Sequence, residues 1–339
     1  MIIKIFYTIN NKNTMNSGNL TLVNAIKAAN IHKKIGYHIR QIIKPGMTLN
    51  NIATIIEDKI NEEINYDNNN PLERGIAFPV GVSVNNCVAH YTPNYKDIDI
   101  ILNESDIIKI DYGVHIKGTI IDSAFTINFD KKYDEFINIS RNLTNYAVSL
   151  CGPDVILGEL GSDIEEYIKS KEIIIDNKLY QLKIMGDLSG HMIRQYEIHA
   201  GVAVPNIAIN YPIRMKEYEY YAIEPFITTG NGKSIIKEPK SHYMFSKNYK
   251  NIKSLNKEEI DLYDVINNNF STLCFCQKWL YKIDNSKEYN KLLNSLEKKN
   301  IINSYPPIYD INNSIVSQFE HTIFVKENGI INLTKNDYY

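Results

Sequence analysis

Apolar residues recur at helical spacing from Leu20 to Ile43, and the run stops at Lys44-Pro45-Gly46, where proline and glycine prevent continuation. Thr48 or Asn50 can cap a second helix over Asn51–Asn61, after which the polar loop YDNNNP intervenes. From Gly75 to Ile127 the chain turns β-branched and aromatic and predicts strands. Phe136 to Ile168 reads as two helices broken around Cys151-Gly152-Pro153, and Leu179 to Thr229 returns to strand and loop. Residues 245–300 are richer in charge and mostly helical, with KEEIDLYDVINNNFSTLCFCQKWLYKI facing a core, which marks an inserted subdomain. Strand character resumes at Ser314–Val325. Residues 1–17 form a short arm, the chain ends in a tight NDYY, and no internal repeat points to a solenoid.

Two aspartates interrupt this pattern. Asp111 and Asp122 lie within KIDYGVHIKGTIIDSAFTI, where the neighbours are those of buried strands. A two-residue loop at Ile116-Lys117 sets Asp111 directly opposite Asp122, on one face, with Cβ atoms about 4.5–5.5 Å apart. A slip of one residue would send them to opposite faces. Like-charged carboxylates so close share either a proton or a cation. Four more residues favour the cation: His191 and His199 in DLSGHMIRQYEIHAG, Glu224 in YYAIEPFITTG, and Glu320 in VSQFEHTIFV. Two Asp, one His and two Glu in strand interiors suit a pair of hard or borderline divalent ions. Four carboxylates and a neutral imidazole balance two such ions, and a water between them would ionise near neutral pH. Taken singly, each acid is an ordinary hydrogen-bonded strand residue and His191 an ordinary core histidine. Their joint occurrence carries the reading.

Composition narrows the setting. With 37 Lys+Arg against 39 Asp+Glu, no global field draws the chain to nucleic acid, so any such binding has to be local. Cys87, Cys151, Cys274 and Cys276 form neither a C-x-x-C pair nor a disulfide framework, which suits a reducing compartment such as the cytoplasm. MIIKIFYTINNK lacks the long apolar segment and cleavage site of an export signal, and no later stretch reaches membrane-spanning length.

From about Leu20 to Tyr339 the sequence resembles the type 2 methionine aminopeptidases, which are pita-bread dinuclear metallopeptidases. The resemblance is carried by KPGMT at 44–48, AFPVGVSVNNCVAHYTPN at 77–94, the double-aspartate stretch, GHMIRQYEIHAG at 190–201, AIEPFITTGNG at 222–232, SHYM at 241–244, YPPIYD and SQFEHTIFV. It implies an α+β pita-bread fold over residues 18–339, a curved and mainly antiparallel sheet flanked by helices, with a helical insertion at about 245–300. It further implies that Asp111, Asp122, His191, Glu224 and Glu320 hold two divalent ions (Mn, Fe, Co or Zn), with Asp122 and Glu320 bridging both. Glu224 is implied as general base, His199 as donor to the scissile carbonyl, and His90 as the contact to the scissile nitrogen. The methionine pocket maps to Phe78, Ile198, His242, Tyr305 and Ile308. His32, His38, His115 and His321 receive no role. The implied activity is removal of initiator methionine from nascent polypeptides whose second residue is small, by a monomer with no membrane association.

The 96 positions between Glu224 and Glu320 accommodate the insertion and favour type 2 over type 1. Pro225 after the base, Arg194 and Glu197 within the histidine motif, and Asn231-Gly232 are departures at the rim of the site. The chain also lacks a long charged N-terminal extension, so ribosome contact is expected to be transient at most. A contrasting reading is a non-catalytic pita-bread module that binds RNA or ribosomes through Lys233, Lys237, Lys240, Lys247, Lys250 and Lys253. Such a run is more commonly a solvated face.

Overall fold

A computed structural model describes residues 17–247 and 252–336. The predicted N-terminal arm, apart from Ser17, and Lys250 and the last three residues of NDYY lie outside the described residues.

The first helix spans Ser17–Ile42 and lies across the long hairpin Ile107–Ile116/Thr119–Asn128. It is fastened reciprocally: His32 Nε2 lies 2.9 Å from Tyr112 O, the Tyr112 hydroxyl donates to His32 O at 2.8 Å, and the two rings stack 3.9 Å apart. Gly36 permits this approach, since a Cβ there would meet the Tyr112 hydroxyl at 3.1 Å. The chain leaves the helix through Gly46 at φ +90° and re-enters helix at Leu49–Ile64, where the Thr48 side chain accepts from Asn51 N. This second helix extends beyond the predicted Asn51–Asn61 at both ends, because Leu49 and Ile64 are themselves buried against the core. The break at Gly152-Pro153 separates helices Asp134–Leu150 and Leu157–Lys169 as expected.

The hairpin corrects the expected register. Its turn is Lys117-Gly118, with φ of +50° and +73°, and Ile116 pairs with Thr119. Asp111 therefore faces Ala124, and Asp122 faces Gly113. The physical reason is turn chemistry: a two-residue hairpin loop takes positive φ at both central positions, which glycine accepts freely and β-branched Ile116 resists. The displacement is two residues rather than one, so the carboxylates still share a face and stand diagonally instead of directly opposed.

All paired strands run antiparallel, and two ladders meet at the hairpin's flank. Tyr220–Ile223 pairs with His321–Lys326, and Phe226–Thr228 pairs with Val316–Gln318. The register is the same on both sides of the gap between them, so Glu224 stands across from Glu320 and Pro225 across from Phe319. Pro225 has no N–H to give the ladder. Glu320 turns its backbone to the hairpin, its N–H donating to Ala124 O at 3.0 Å and its carbonyl accepting from Ser123 Oγ at 2.5 Å. Thr126 and Thr322 add further stitches to Gln318 and Asp122.

Within 245–300 the described helices are Lys257–Asn269, Gln277–Ile283 and Tyr289–Lys298, packed on an apolar cluster of their own that includes Leu262, Phe275, Leu280 and Leu293. The insertion is not purely helical, for Phe275–Cys276 pairs with His242–Tyr243 and so brings Cys274 towards the centre. Its anchor is Glu57, only 1% exposed, which accepts from Trp279 Nε1 at 2.9 Å and from Lys282 Nζ at 3.0 Å and pairs with Lys278 Nζ at 2.9 Å. No helix among the described residues is long and apolar enough to cross a membrane.

Candidate metal centre and active site

Five chain segments deliver four acids and an imidazole to one place. Asp111 and Asp122 come from the hairpin, Glu224 and Glu320 from the paired gaps, and His191 from Ser189–Ile193, whose residue 191 pairs with Ala222 two positions before Glu224. His191 Nε2 lies 3.5 Å from Asp122 Oδ2 and 3.4 Å from Glu224 Oε1. Donor atoms of Asp122, His191 and Glu320 all fall within 4.8 Å of one another. Gln318 Nε2 lies 3.3 Å from both Glu224 Oε2 and Glu320 Oε2.

Electrostatics makes this arrangement incomplete by itself. Burial, reinforced by Asp122, pushes Asp111 well above the usual carboxylate range, and burial with Asp122 and neighbouring acids does the same to Glu224 and Glu320. Burial raises Asp122 to about 7. His191 is driven the other way, to about 4, again by burial. Asp111 Oδ1, Asp122 Oδ1, Glu320 Oε1 and His191 Nδ1 are buried without a hydrogen-bond partner. Orphaned oxygens converging in this way are costly without a cation and are ordinary donors with one. The residues present therefore fit divalent ions.

The acids separate two openings. On one side a narrow cavity of about 70 Å³ is lined by Phe78, Ile198, His242, Cys274 and Tyr305, with His90 and His199 at its polar end. Phe78 reaches this position because its ring lies against Gly113, where any Cβ would overlap it. On the other side a wider opening of about 360 Å³ is bordered by Leu188, Ser189, Gly201, Val202 and Phe226. His199 packs edge-on to His191 at 4.4 Å, and the rings of His90 and His242 lie 5.8 Å apart. Burial lowers His90 to about 4 and His199 and His242 to about 3, so all three are neutral. His90 holds φ +61°, a conformation uncommon outside glycine and frequent at working sites.

Ile308 alone among the expected pocket residues stands outside the narrow cavity's lining, pairing with Ala89 and packing beside Val88, Phe226 and Val316. Two participants were missed. Gln318 shares Glu320's strand parity, a period-2 signal that an apolar strand with two polar residues in phase could have given. Cys274, whose Sγ lies 3.7 Å from Met244 Sδ, reaches the cavity only through the insertion's strand pairing. Three of the six lysines have partners: Lys240 bonds Glu297 at 2.8 Å, Lys247 pairs with Glu197 and donates to His199 O at 2.7 Å, and Lys237 sits 4.3 Å over Tyr309. A larger cavity of about 550 Å³, between Leu49–Ile64 and the insertion, gathers no comparable set of acids. Chemistry rather than size picks the site.

A buried four-carboxylate, one-imidazole centre beside an apolar pocket with further neutral imidazoles, held on the antiparallel strands of a pita-bread fold, defines a metallohydrolase. The sequence model of metallopeptidase family M24 matches residues 24–247, and the chain belongs to that family. It is 40% identical over 306 residues to methionine aminopeptidase 2 of Schizophyllum commune, spanning 90% of this chain and 71% of that one. To methionine aminopeptidase 2 of Encephalitozoon hellem it is 38% identical over 320 residues, spanning 94% and 88%. Among solved structures, methionine aminopeptidase from Thermotoga maritima aligns with a TM-score of 0.61 at 19% identity over 92% of this chain and 95% of that one. A thermophilic Arx1 aligns at 0.78 and 16% over 94% and 91%. These structural likenesses bear on the fold; the sequence relatives carry the activity, hydrolytic removal of N-terminal methionine with divalent metal ions.

Proposed function

We propose that Asp111, Asp122, His191, Glu224 and Glu320 hold the divalent ions, and that the narrow cavity receives the methionine side chain. When bound, the ions supply the charge that ionises the carboxylates, acidifies a water and polarises the scissile carbonyl. Glu224 takes the proton from the attacking water and returns it to the departing amine. His199, neutral, donates an N–H to the carbonyl oxygen as negative charge develops there. His90 contacts the scissile nitrogen. Phe78, Ile198, His242 and Tyr305 grip the methionine side chain and Cys274 closes the apolar end, while Ile308 packs in the cluster that includes Phe226 at the wider opening. The wider opening past Ser189 and Gly201 takes the chain beyond the scissile bond.

The narrow cavity is much the smaller of the two openings and receives the first side chain alone. His199 lines both openings, and a small second residue keeps clear of it. The four buried free cysteines agree with action in the cytoplasm. The complete acid set favours the enzyme over an RNA-binding module. The single observation that carries this reading is the convergence of unpartnered acid oxygens and His191 beside a narrow apolar cavity. Ion-stripped protein resupplied with Mn²⁺ or Co²⁺ should release methionine from Met-Ala-Ser; no release with either ion overturns it.

A further inference from the structure

We propose that Gln318 is a positioning residue that divides the oxygens of Glu224 and Glu320 between the protein and the ions. The inference rests on assigning those two glutamates as ligands. Gln318 is 1% exposed and ends the strand Val316–Gln318, two positions before Glu320. Its main chain is clamped to the hairpin by Thr126, which accepts from Gln318 N at 2.9 Å and donates to Gln318 O at 2.8 Å. The backbone of Gln318 is therefore fixed beside the two glutamates.

Its amide nitrogen carries two protons and lies 3.3 Å from Oε2 of each glutamate. The other oxygens point elsewhere: Glu320 Oε1 has no partner, and Glu224 Oε1 faces His191 Nε2 at 3.4 Å. The last torsion of a glutamate is soft, with a broad, two-fold preference, so a carboxyl without a fixed neighbour turns freely. One amide holding one oxygen of each carboxylate sets both rotations together and leaves the Oε1 atoms facing His191 and the aspartates. Residue chemistry at 318 is constrained accordingly. Glutamate would add a fifth negative charge and remove both donors, and lysine would supply the positive charge itself and compete with the ion. A neutral double donor orients the acids without neutralising them.

The test is Mn²⁺ titration calorimetry with electron paramagnetic resonance of the Mn²⁺-loaded protein, on wild type, Gln318→Met and Gln318→Asn. Methionine keeps the volume and deletes the donors; asparagine keeps the amide one carbon short. Both variants should bind Mn²⁺ about 10–100-fold more weakly, the loss typical when a ligand's supporting partner is removed. Their Mn²⁺ spectra should also differ from wild type, while the ion-free circular dichroism stays unchanged. A Gln318→Met chain that binds Mn²⁺ with wild-type affinity and spectrum overturns the proposal. If that variant fails to fold, wild-type affinity and spectrum in Gln318→Asn overturn it instead. Failure of the wild type to bind Mn²⁺ in the cavity would strike the ligand assignment, a distinct result.

Discussion

Gly118 joins the hairpin turn to the loop that carries His199, and substituting it tests that link. Gly118 holds φ +73°, and the ring of Tyr196 lies directly on it, where a Cβ would overlap three ring atoms. Tyr196 is fixed from several sides: its N–H donates to Gly118 O at 2.8 Å, its hydroxyl to Leu72 O at 2.9 Å, and its carbonyl accepts from Thr272 Oγ1 at 2.5 Å. Gly118→Ala thus combines about 1–2 kcal/mol for a left-handed alanine with about 1–3 kcal/mol for overpacking, offset by roughly 0.4–1 kcal/mol from a stiffer unfolded chain. The net is about 1–5 kcal/mol. Gly201→Ala supplies the control, since Gly201 sits in the same histidine loop at φ +84° with nothing within 4 Å of a new Cβ, so only the backbone part, about 1 kcal/mol, remains. Urea unfolding of the two ion-free variants, beside methionine release, measures both quantities. Gly118→Ala should be the less stable by at least about 1 kcal/mol and should lower kcat/KM, because Tyr196 must move and Ile198 and His199 follow it. Equal destabilisation by the two substitutions would refute the packing argument, and unchanged turnover in Gly118→Ala would refute the coupling to His199.

Glu57→Gln leaves Lys278 buried without its counter-charge, and urea unfolding should register a loss of about 3–5 kcal/mol. Trp279, the only tryptophan in the chain, donates to Glu57, so its emission should shift to the red as the insertion loosens. His115 is held neutral by burial, its pKa lowered to about 4. Above the unfolded value near 6.5 neither state is protonated; between 6.5 and 4 only the unfolded chain takes the proton, and stability falls by about 1.4 kcal/mol per pH unit; below 4 the effect is flat. His115→Asn should make the stability curve shallower by about that slope between pH 6.5 and 4, and equal slopes would contradict it. Asp111→Asn should leave the ion-free fold at least as stable, by removing a like charge, and should cut turnover more than the roughly 10–100-fold typical of losing a supporting partner; turnover near wild type would remove Asp111 from the centre.

Much of this was legible from local chemistry. Proline and glycine at 45–46 and 152–153 marked helix ends, and a two-residue hairpin loop near 116–118 put Asp111 and Asp122 on one face. The exact pairing was misread because Gly118, rather than Ile116, takes a central position of the turn. What stayed hidden depends on contacts between distant segments. Glu224 meets Glu320 because two ladders break at matching positions, and Cys274 enters the cavity because Phe275–Cys276 pairs with His242–Tyr243. The partners of Lys240 and Lys247 were hidden likewise, because sequence does not show that Glu297 and Glu197 lie beside them.

Anomalous diffraction from crystals loaded with Mn²⁺ tests the central claim most directly. The account predicts two peaks in the cavity, within coordination distance of oxygens from Asp111, Asp122, Glu224 and Glu320 and of a nitrogen of His191. Manganese bound elsewhere, with those oxygens left free of it, would contradict it.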